Sequence, residues 1–189
     1  KCGELARAQQ ALKELPLRDV VSWSSLISGF SQHGQWHEAF ECLDWMQKEG
    51  LFPNAVTFIC ILRACTEIEI GKEIHSEIVK KGLLGKDVVL ETALVDMYGK
   101  CGSFDDAYLV FKRASHIDVV LQNAMIAAYA SYGLPKQAMD IYQRMNLQNL
   151  AVDFVTSVNI LSACSHAGLI LEGYDHFKSI HNPMVDHYV

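Results

Sequence analysis

The sequence predicts an all-α protein, a right-handed α-solenoid (superhelix) built from stacked antiparallel helical hairpins, with about eleven helices. Three observations point there. Within residues 20–54, Val21, Trp23, Leu26, Ile27 and Phe30 form an apolar stripe at helical spacing, Gly34 interrupts it, and Trp36, Ala39, Phe40, Leu43 and Met46 form a second stripe. The unit closes itself, because Gly50 suits the left-handed conformation that ends a helix and Pro53 cannot continue one. The pattern then recurs at a spacing of 99 residues, where Val20, Val21, Ile27, Gly34, Ala39, Met46 and Leu51 become Val119, Val120, Ile126, Gly133, Ala138, Met145 and Leu150. Such self-similarity marks an array whose units bury surface against their neighbours.

Taken in order, residues 1–19 read as the back half of a unit, a Cys-Gly turn and a helix with Leu5, Ala8, Ala11, Leu12 and Leu15 inward. Residues 20–54 form the unit described above. In residues 55–87, Val56, Phe58, Ile61, Leu62 and Cys65 fall on one helix face, and the second helix follows almost without a turn. Ala64 and Cys65 match Ala163 and Cys164 at the 99-residue spacing, but Gly71 matches Gly173 at 102, so three residues are short between 66 and 71. Either the two helices fuse or a mobile loop has been lost between them, and the pattern favours the loop. Residues 88–118 form a shorter hairpin turning at Cys101-Gly102, with Ser103, Asp105 and Asp106 as a helix start. Residues 119–153 repeat the first full unit, with Pro135 in a first helical turn and Asn149 in the place of Gly50. Residues 154–184 begin another unit, which is short near 182–183, and residues 185–189 open the next. Leu26, Ile27, Leu43, Leu62, Leu94, Met125, Ile126 and Met145 are expected between the layers.

Half of the 189 residues are apolar, yet no run approaches the roughly 20 apolar residues that would span a bilayer, so no membrane partner is expected. The formal net charge of −6 argues mildly against nucleic acid, since phosphates are neutralised by Lys and Arg, and it argues against duplex DNA as a partner. A solenoid can nevertheless carry unlike charge on its two faces. The six cysteines, at 2, 42, 60, 65, 101 and 164, have no CxxC spacing and read as buried thiols rather than disulfides. Among eight histidines, the densest group is His166, His176, His181 and His187, without Cys, Asp or Glu at ligand spacing; no metal, cofactor or catalytic residue is expected. His37-Glu38 lacks the second His of a zinc-protease helix, and the deaminase HxE…PCxxC pattern is absent.

What remains is the concave face. Residues near the starts of the first helices project into a common groove beside the last residue of the preceding or same unit. These positions are polar and variable: Ser24, Thr92 and Asn123 near the helix starts, and Asn54, Asp118 and Asp153 at the unit ends. Variable hydrogen-bonding groups on a constant frame suit a modular reader, and on the residues alone a protein-binding solenoid stands equally open.

VVSWSSLISGF with EAFECLDWMQKEGLFPN, TFICILRAC with GKEIHSEIVKKG, ALVDMYGKCGSFDDAYLVF and SACSHAGLILEG together resemble the pentatricopeptide repeat family, in the plant type that alternates P, L and S repeats. On that resemblance residues 1–19 are a partial S repeat, 20–54 a P repeat, 55–87 an L repeat, 88–118 an S repeat, 119–153 a P repeat, 154–184 an L repeat and 185–189 the start of an S repeat. It implies single-stranded RNA binding in mitochondria or chloroplasts, one base per repeat, as the targeting array of a C-to-U editing or processing factor, with any deaminase in a C-terminal extension and a transit peptide upstream. The fifth and last residues of each repeat would read the base: Ser24 with Asn54, Thr92 with Asp118, and Asn123 with Asp153. Val21, Val89 and Val120 would wedge beside it. Asp19, Ile59 with Asp87, and Val158 would read poorly; Ile59 and Val158 are apolar at the fifth position and offer no hydrogen bond. The family's pairing rules imply the order 5′-A-N-G-U-N-3′, and the L repeats imply a helper protein as a possible partner. A tetratricopeptide-like protein-binding solenoid predicts a steady period of about 34 residues, whereas the units here run 35, 33 and 31.

Overall fold

The computed structural model describes residues 2–148, 150 and 152–179. Among them are eleven α-helices and no strand: α1 (Cys2–Glu14), α2 (Val20–Gln32), α3 (Trp36–Lys48), α4 (Ala55–Ala64), α5 (Ile68–Lys80), α6 (Val88–Lys100), α7 (Phe104–Arg113), α8 (Val119–Ser131), α9 (Pro135–Leu147), α10 (Phe154–His166) and α11 (Ile170–Ser179). Asn149, the short spacing at 182–183 and the unit start at 185–189 lie outside the described residues.

The helices alternate between two layers. In the first, α2, α4, α6, α8 and α10 pack side by side, each against the next. In the second, α3, α7, α9 and α11 pack on α2, α6, α8 and α10, forming hairpins, and α3, α7 and α9 also reach the following hairpin. The result is an α-solenoid. Position in the stack explains composition: α8 is covered on several sides and buries Leu121, Gln122, Asn123, Met125, Ile126, Ala128, Tyr129 and Ala130. By contrast α9 covers one face only and buries Ala138, Ile141 and Met145.

The turns follow the sequence signals. Gly50 has φ 78°, its N–H donates to the Gln47 carbonyl at 2.9 Å, and the Leu51 N–H donates to the Met46 carbonyl at 3.1 Å, so the last carbonyls of α3 are satisfied by a left-handed close. Pro135 opens α9, where a missing N–H costs nothing. Ser103 precedes α7 but caps no backbone N–H; its hydroxyl donates to Asp106 Oδ2 at 2.7 Å.

The short spacing at 66–71 is resolved by the end of a helix. α4 has 10 residues where its counterpart α10 has 13, and α5 begins after the link Cys65–Glu67, so the helices do not fuse. The link needs no glycine, because Cys65 takes extended backbone and its thiol donates to the Glu67 carbonyl at 3.3 Å. With one turn of α4 gone, α5 divides its contacts between α4 and α6.

All eight residues expected between the layers are buried. Two placements differ. Val21 and Val56 share the helical spacing of the apolar stripes but stand 70% and 58% exposed, because their place in the first turn faces the groove and not the second layer. In α1, Leu12 is buried and Leu5 half-buried, while Ala8, Ala11 and Leu15 are exposed, since α1 packs mainly on α2, with Lys13 over the Trp45 ring of α3.

Candidate nucleic-acid interface

The unit-end residues all serve the helices that follow them: Asp19, Asn54, Asp87, Asp118 and Asp153 are the N-caps of α2, α4, α6, α8 and α10. In each, Oδ1 accepts from a backbone N–H of the first turn: Ser22 at 2.8 Å, Thr57 at 3.0 Å, Val89 at 2.9 Å, Leu121 at 2.8 Å and Thr156 at 2.8 Å. These bonds satisfy N–H groups that a helix start leaves without partners. A cap uses one side-chain oxygen, which leaves the other carboxylate oxygen, or the amide of Asn54, for a further contact.

The three sequence-assigned pairs are held differently. Asn123 and Asp153 meet directly, Asn123 Nδ2 donating to Asp153 Oδ1 at 3.0 Å. Ser24 and Asn54 are joined through Thr57: the two hydroxyls are 2.7 Å apart, and Thr57 Oγ1 donates to Asn54 Oδ1 at 3.1 Å. Thr92 and Asp118 line one groove without a bond between them, because the Thr92 hydroxyl donates to the Val88 carbonyl at 2.8 Å within its own helix. Ser24 and Asn123 are buried, at 8% and 6% exposure, so a ligand would meet only the groove-facing edge of each. Of the weaker candidates, Ile59 is buried in the core and Val158 half-buried.

Two grooves bring these residues together. One, of about 570 Å³, runs along α6, α8 and α10 and is lined by Val89, Thr92, Asp118, Val120, Asn123 and Asp153, with Val155 and Asn159 beyond. The other, of about 440 Å³, lies between α2 and α4 and is lined by Val21, Ser24, Asn54 and Val56. Val89 and Val120 are 56% and 60% exposed, and Val155 is 49% exposed. Exposed β-branched residues at one repeated place, each beside a polar group, form an apolar and polar alternation along the groove. Val56 and Val155 escaped the sequence assignment, although both hold the second place of their helices, as Val21, Val89 and Val120 do. Thr57, Thr156 and Asn159 also escaped it; Asn159 Nδ2 donates to the Asn123 carbonyl at 3.2 Å. Only the stacking of neighbouring hairpins brings those side chains to the pairs.

The larger groove is acidic, with Asp96, Asp118 and Asp153 against Arg63. Burial pushes the Asp153 carboxyl up, but the N–H and hydroxyl of Thr156 and the amide of Asn123 outweigh it and hold the group below the ordinary aspartate value, so it is ionised at neutral pH. Among the described residues no three His, Cys, Asp or Glu side chains gather where they could hold a metal ion. His166 Nδ1 lies 3.0 Å from the Ala130 carbonyl and His75 Nδ1 2.8 Å from the Tyr98 hydroxyl. His181 and His187 fall outside the described residues.

Hairpins stacked into a solenoid, with polar pairs recurring along one groove, define a helical-repeat protein. A sequence model of the PPR repeat family matches residues 18–67, and a model of the PPR repeat matches residues 92–115 and 123–150. A pentatricopeptide repeat-containing protein of Arabidopsis thaliana is 36% identical over 196 residues, taking in 100% of this chain and 20% of the relative. A mitochondrial one from the same plant is 35% identical over 196 residues, covering 100% of this chain and 31% of the relative. A chloroplastic one is 37% identical over 198 residues, covering 100% and 27%. The chain thus spans 20%, 31% and 27% of the length of these relatives. Among solved structures, the pentatricopeptide repeat protein PPR10 in complex with an 18-nt psaJ RNA element is similar with a TM-score of 0.76 at 18% identity, over 90% of this chain and 26% of that one. PPR10 from maize gives 0.65 at 20% identity, over 98% and 34%. The chain belongs to the pentatricopeptide repeat family.

Proposed function

We propose that this array binds single-stranded RNA along the α2–α10 groove, reading one base per hairpin, within a longer organellar protein that directs C-to-U editing or another RNA-processing step. The observation that carries the reading is the repeated pairing, along one groove, of an exposed first-turn valine with a polar helix-start residue and an N-cap side chain. A base can stack its face against the valine while its edge meets the polar pair. Binding of single-stranded RNA by repeats of this family, with PPR10 as a solved case, supports the reading. The mitochondrial and chloroplastic relatives support an organellar location. Ser24/Asn54 prefers A, Thr92/Asp118 prefers G and Asn123/Asp153 prefers U, in the order 5′-A-N-G-U-N-3′. A helper protein would contact the hairpins α4–α5 and α10–α11.

The deciding experiment is Asn123→Thr in the full-length protein, with binding measured against four RNAs that differ only at the base assigned to Asn123/Asp153. The substitution recreates the Thr/Asp pair of Thr92/Asp118, so preference should move from U to G while the neighbouring positions keep theirs. A wild type without U preference, or a variant that weakens equally on all four RNAs, would sink the base reading and favour a protein-binding solenoid.

A further inference from the structure

We infer that the buried threonine in the first turn of the following hairpin, Thr57 for Ser24/Asn54 and Thr156 for Asn123/Asp153, is a specificity-determining residue that fixes which hydrogen-bonding edge the reading pair turns toward a base. This rests on the base reading proposed above. Both threonines have no exposed surface, and both sit at the third position of their helix, directly after the groove valines Val56 and Val155.

The Asn123 amide shows how the device works. Asp153, being ionised, has oxygens that only accept, so the face of Asn123 turned toward it must be the amino group. The carbonyl then lies on the other side, where the Thr156 hydroxyl is 2.7 Å from Asn123 Oδ1. The same hydroxyl is 2.8 Å from Asp153 Oδ1, and it has one hydrogen for two acceptors. In the free protein that hydrogen can satisfy the buried Asn123 carbonyl. When a base brings an N–H to the same oxygen, as uracil N3–H would, the hydroxyl can turn to Asp153 without any heavy atom moving and without leaving an unmet acceptor. The amide is thereby oriented in advance, with its carbonyl available to an N–H and its remaining amino hydrogen available to a carbonyl, the pattern on the uracil edge. An Asn free to flip by 180° would offer both patterns and discriminate less.

The same arrangement polarises the other pair. Thr57 Oγ1 lies 3.1 Å from Asn54 Oδ1 and 2.7 Å from Ser24 Oγ, and either hydroxyl can be the donor in the second contact; when the Thr57 hydrogen is directed at Asn54, Ser24 donates its own to Thr57 Oγ1. Its lone pairs are left for the groove, where they accept from an amino group such as that of adenine. At the third pair the device is missing. Leu121 stands in the threonine's place, no hydroxyl bridges Thr92 and Asp118, and Thr92 is held by its own helix. The two threonines also close capping boxes with Asn54 and Asp153, and a cap alone would stabilise the helix without affecting base choice.

The test therefore reads discrimination and stability separately. Thr156→Val keeps the shape and the N–H donated to Asp153 but removes the hydroxyl; Thr57→Val does the same independently at the other site. Binding of the full-length protein is measured, well below the melting temperature of each variant, against four RNAs differing at the corresponding base. For Thr156→Val, U discrimination should fall about fivefold, the worth of one hydrogen bond, with the base read by Ser24/Asn54 unaffected; Thr57→Val should show the reverse, and serine at either site should restore the preference. If wild type prefers U and the valine variants keep full discrimination, or lose affinity evenly for all four bases as a mere cap would, the inference is overturned. A wild type with no base preference would instead count against the base reading itself.

Discussion

Gly99→Ala probes a close approach in the wall that carries the groove. Gly99 lies in α6, and a methyl group added there would sit 2.6 Å from the Ala128 Cβ and 3.4 Å from its Cα in α8. Carbon atoms rest comfortably at about 3.5–4.0 Å, so the two helices would have to part by about 1 Å at this point. An alanine in an exposed helix would gain up to about 1 kcal/mol over glycine, whereas overpacking a tight core costs about 1–3 kcal/mol. Since α6 is also packed by α4 and α8 by α10, neither helix can back away freely, and the cost should prevail. The expected net loss is about 1–2 kcal/mol of unfolding free energy, read from urea denaturation with an unchanged m-value. Ala128→Gly in the same molecule removes the opposing methyl, so the double variant should recover part of the loss, with a coupling of about 1 kcal/mol or more. A Gly99→Ala protein more stable than wild type, or effects that simply add, would show that this contact does not set the spacing of α6 and α8. Because α6 carries Thr92 and α8 carries Asn123, the variant should also weaken RNA binding beyond its effect on stability.

Asp153 gives a pH-dependent prediction. Its carboxyl is held below the ordinary value of 3.8, so its contribution to stability is fully present above that value and is lost as the pH falls through the lower folded-state pKa. The stability gap between wild type and Asp153→Ala should thus be constant near neutrality and close under acid; a gap that widens on acidification would contradict the assignment. Cys42 is fully buried, and burial, with Glu41 nearby, pushes its thiol up to about 12, so alkylation at pH 8 should require unfolding. Rapid labelling of Cys42 in the native protein, followed by mass spectrometry, would refute that burial. Glu91 is 2% exposed and its Oε1 accepts the Gly85 N–H at 2.9 Å, tying down the loop between α5 and α6. Glu91→Ala should cost about 1.5–3 kcal/mol in denaturant titration and Glu91→Gln clearly less, since the amide oxygen still accepts; equal losses would mean that the bond to Gly85 is not what matters.

The local order of the chain is set by signals a few residues apart, and these are legible in the sequence. Gly50 and Pro53 end one hairpin, Pro135 opens α9, and the spacing of Leu26, Ile27, Leu43 and Met46 places them inward whatever packs against them, because helical periodicity is a property of the segment itself. The polar positions Ser24, Thr92 and Asn123, and the unit-end residues Asn54, Asp118 and Asp153, were legible for the same reason: they stand at fixed distances from those signals. What each one touches was not. The 99-residue repeat relates Thr57 to Thr156, yet nothing in it places their hydroxyls against Ser24 and Asn123, which lie 33 residues away in each case. Val21 and Val56 have the spacing of core residues and face the groove, because exposure depends on which side the next hairpin takes. The missing turn between 66 and 71 could have come from a loop or a helix, and it was taken from the end of α4, where the packing of α5 between α4 and α6 could absorb it. Periodicity determined which face of each helix is apolar; the stacking of one hairpin on the next decided which apolar residues are covered and which polar groups meet, since those contacts join segments that no local pattern relates.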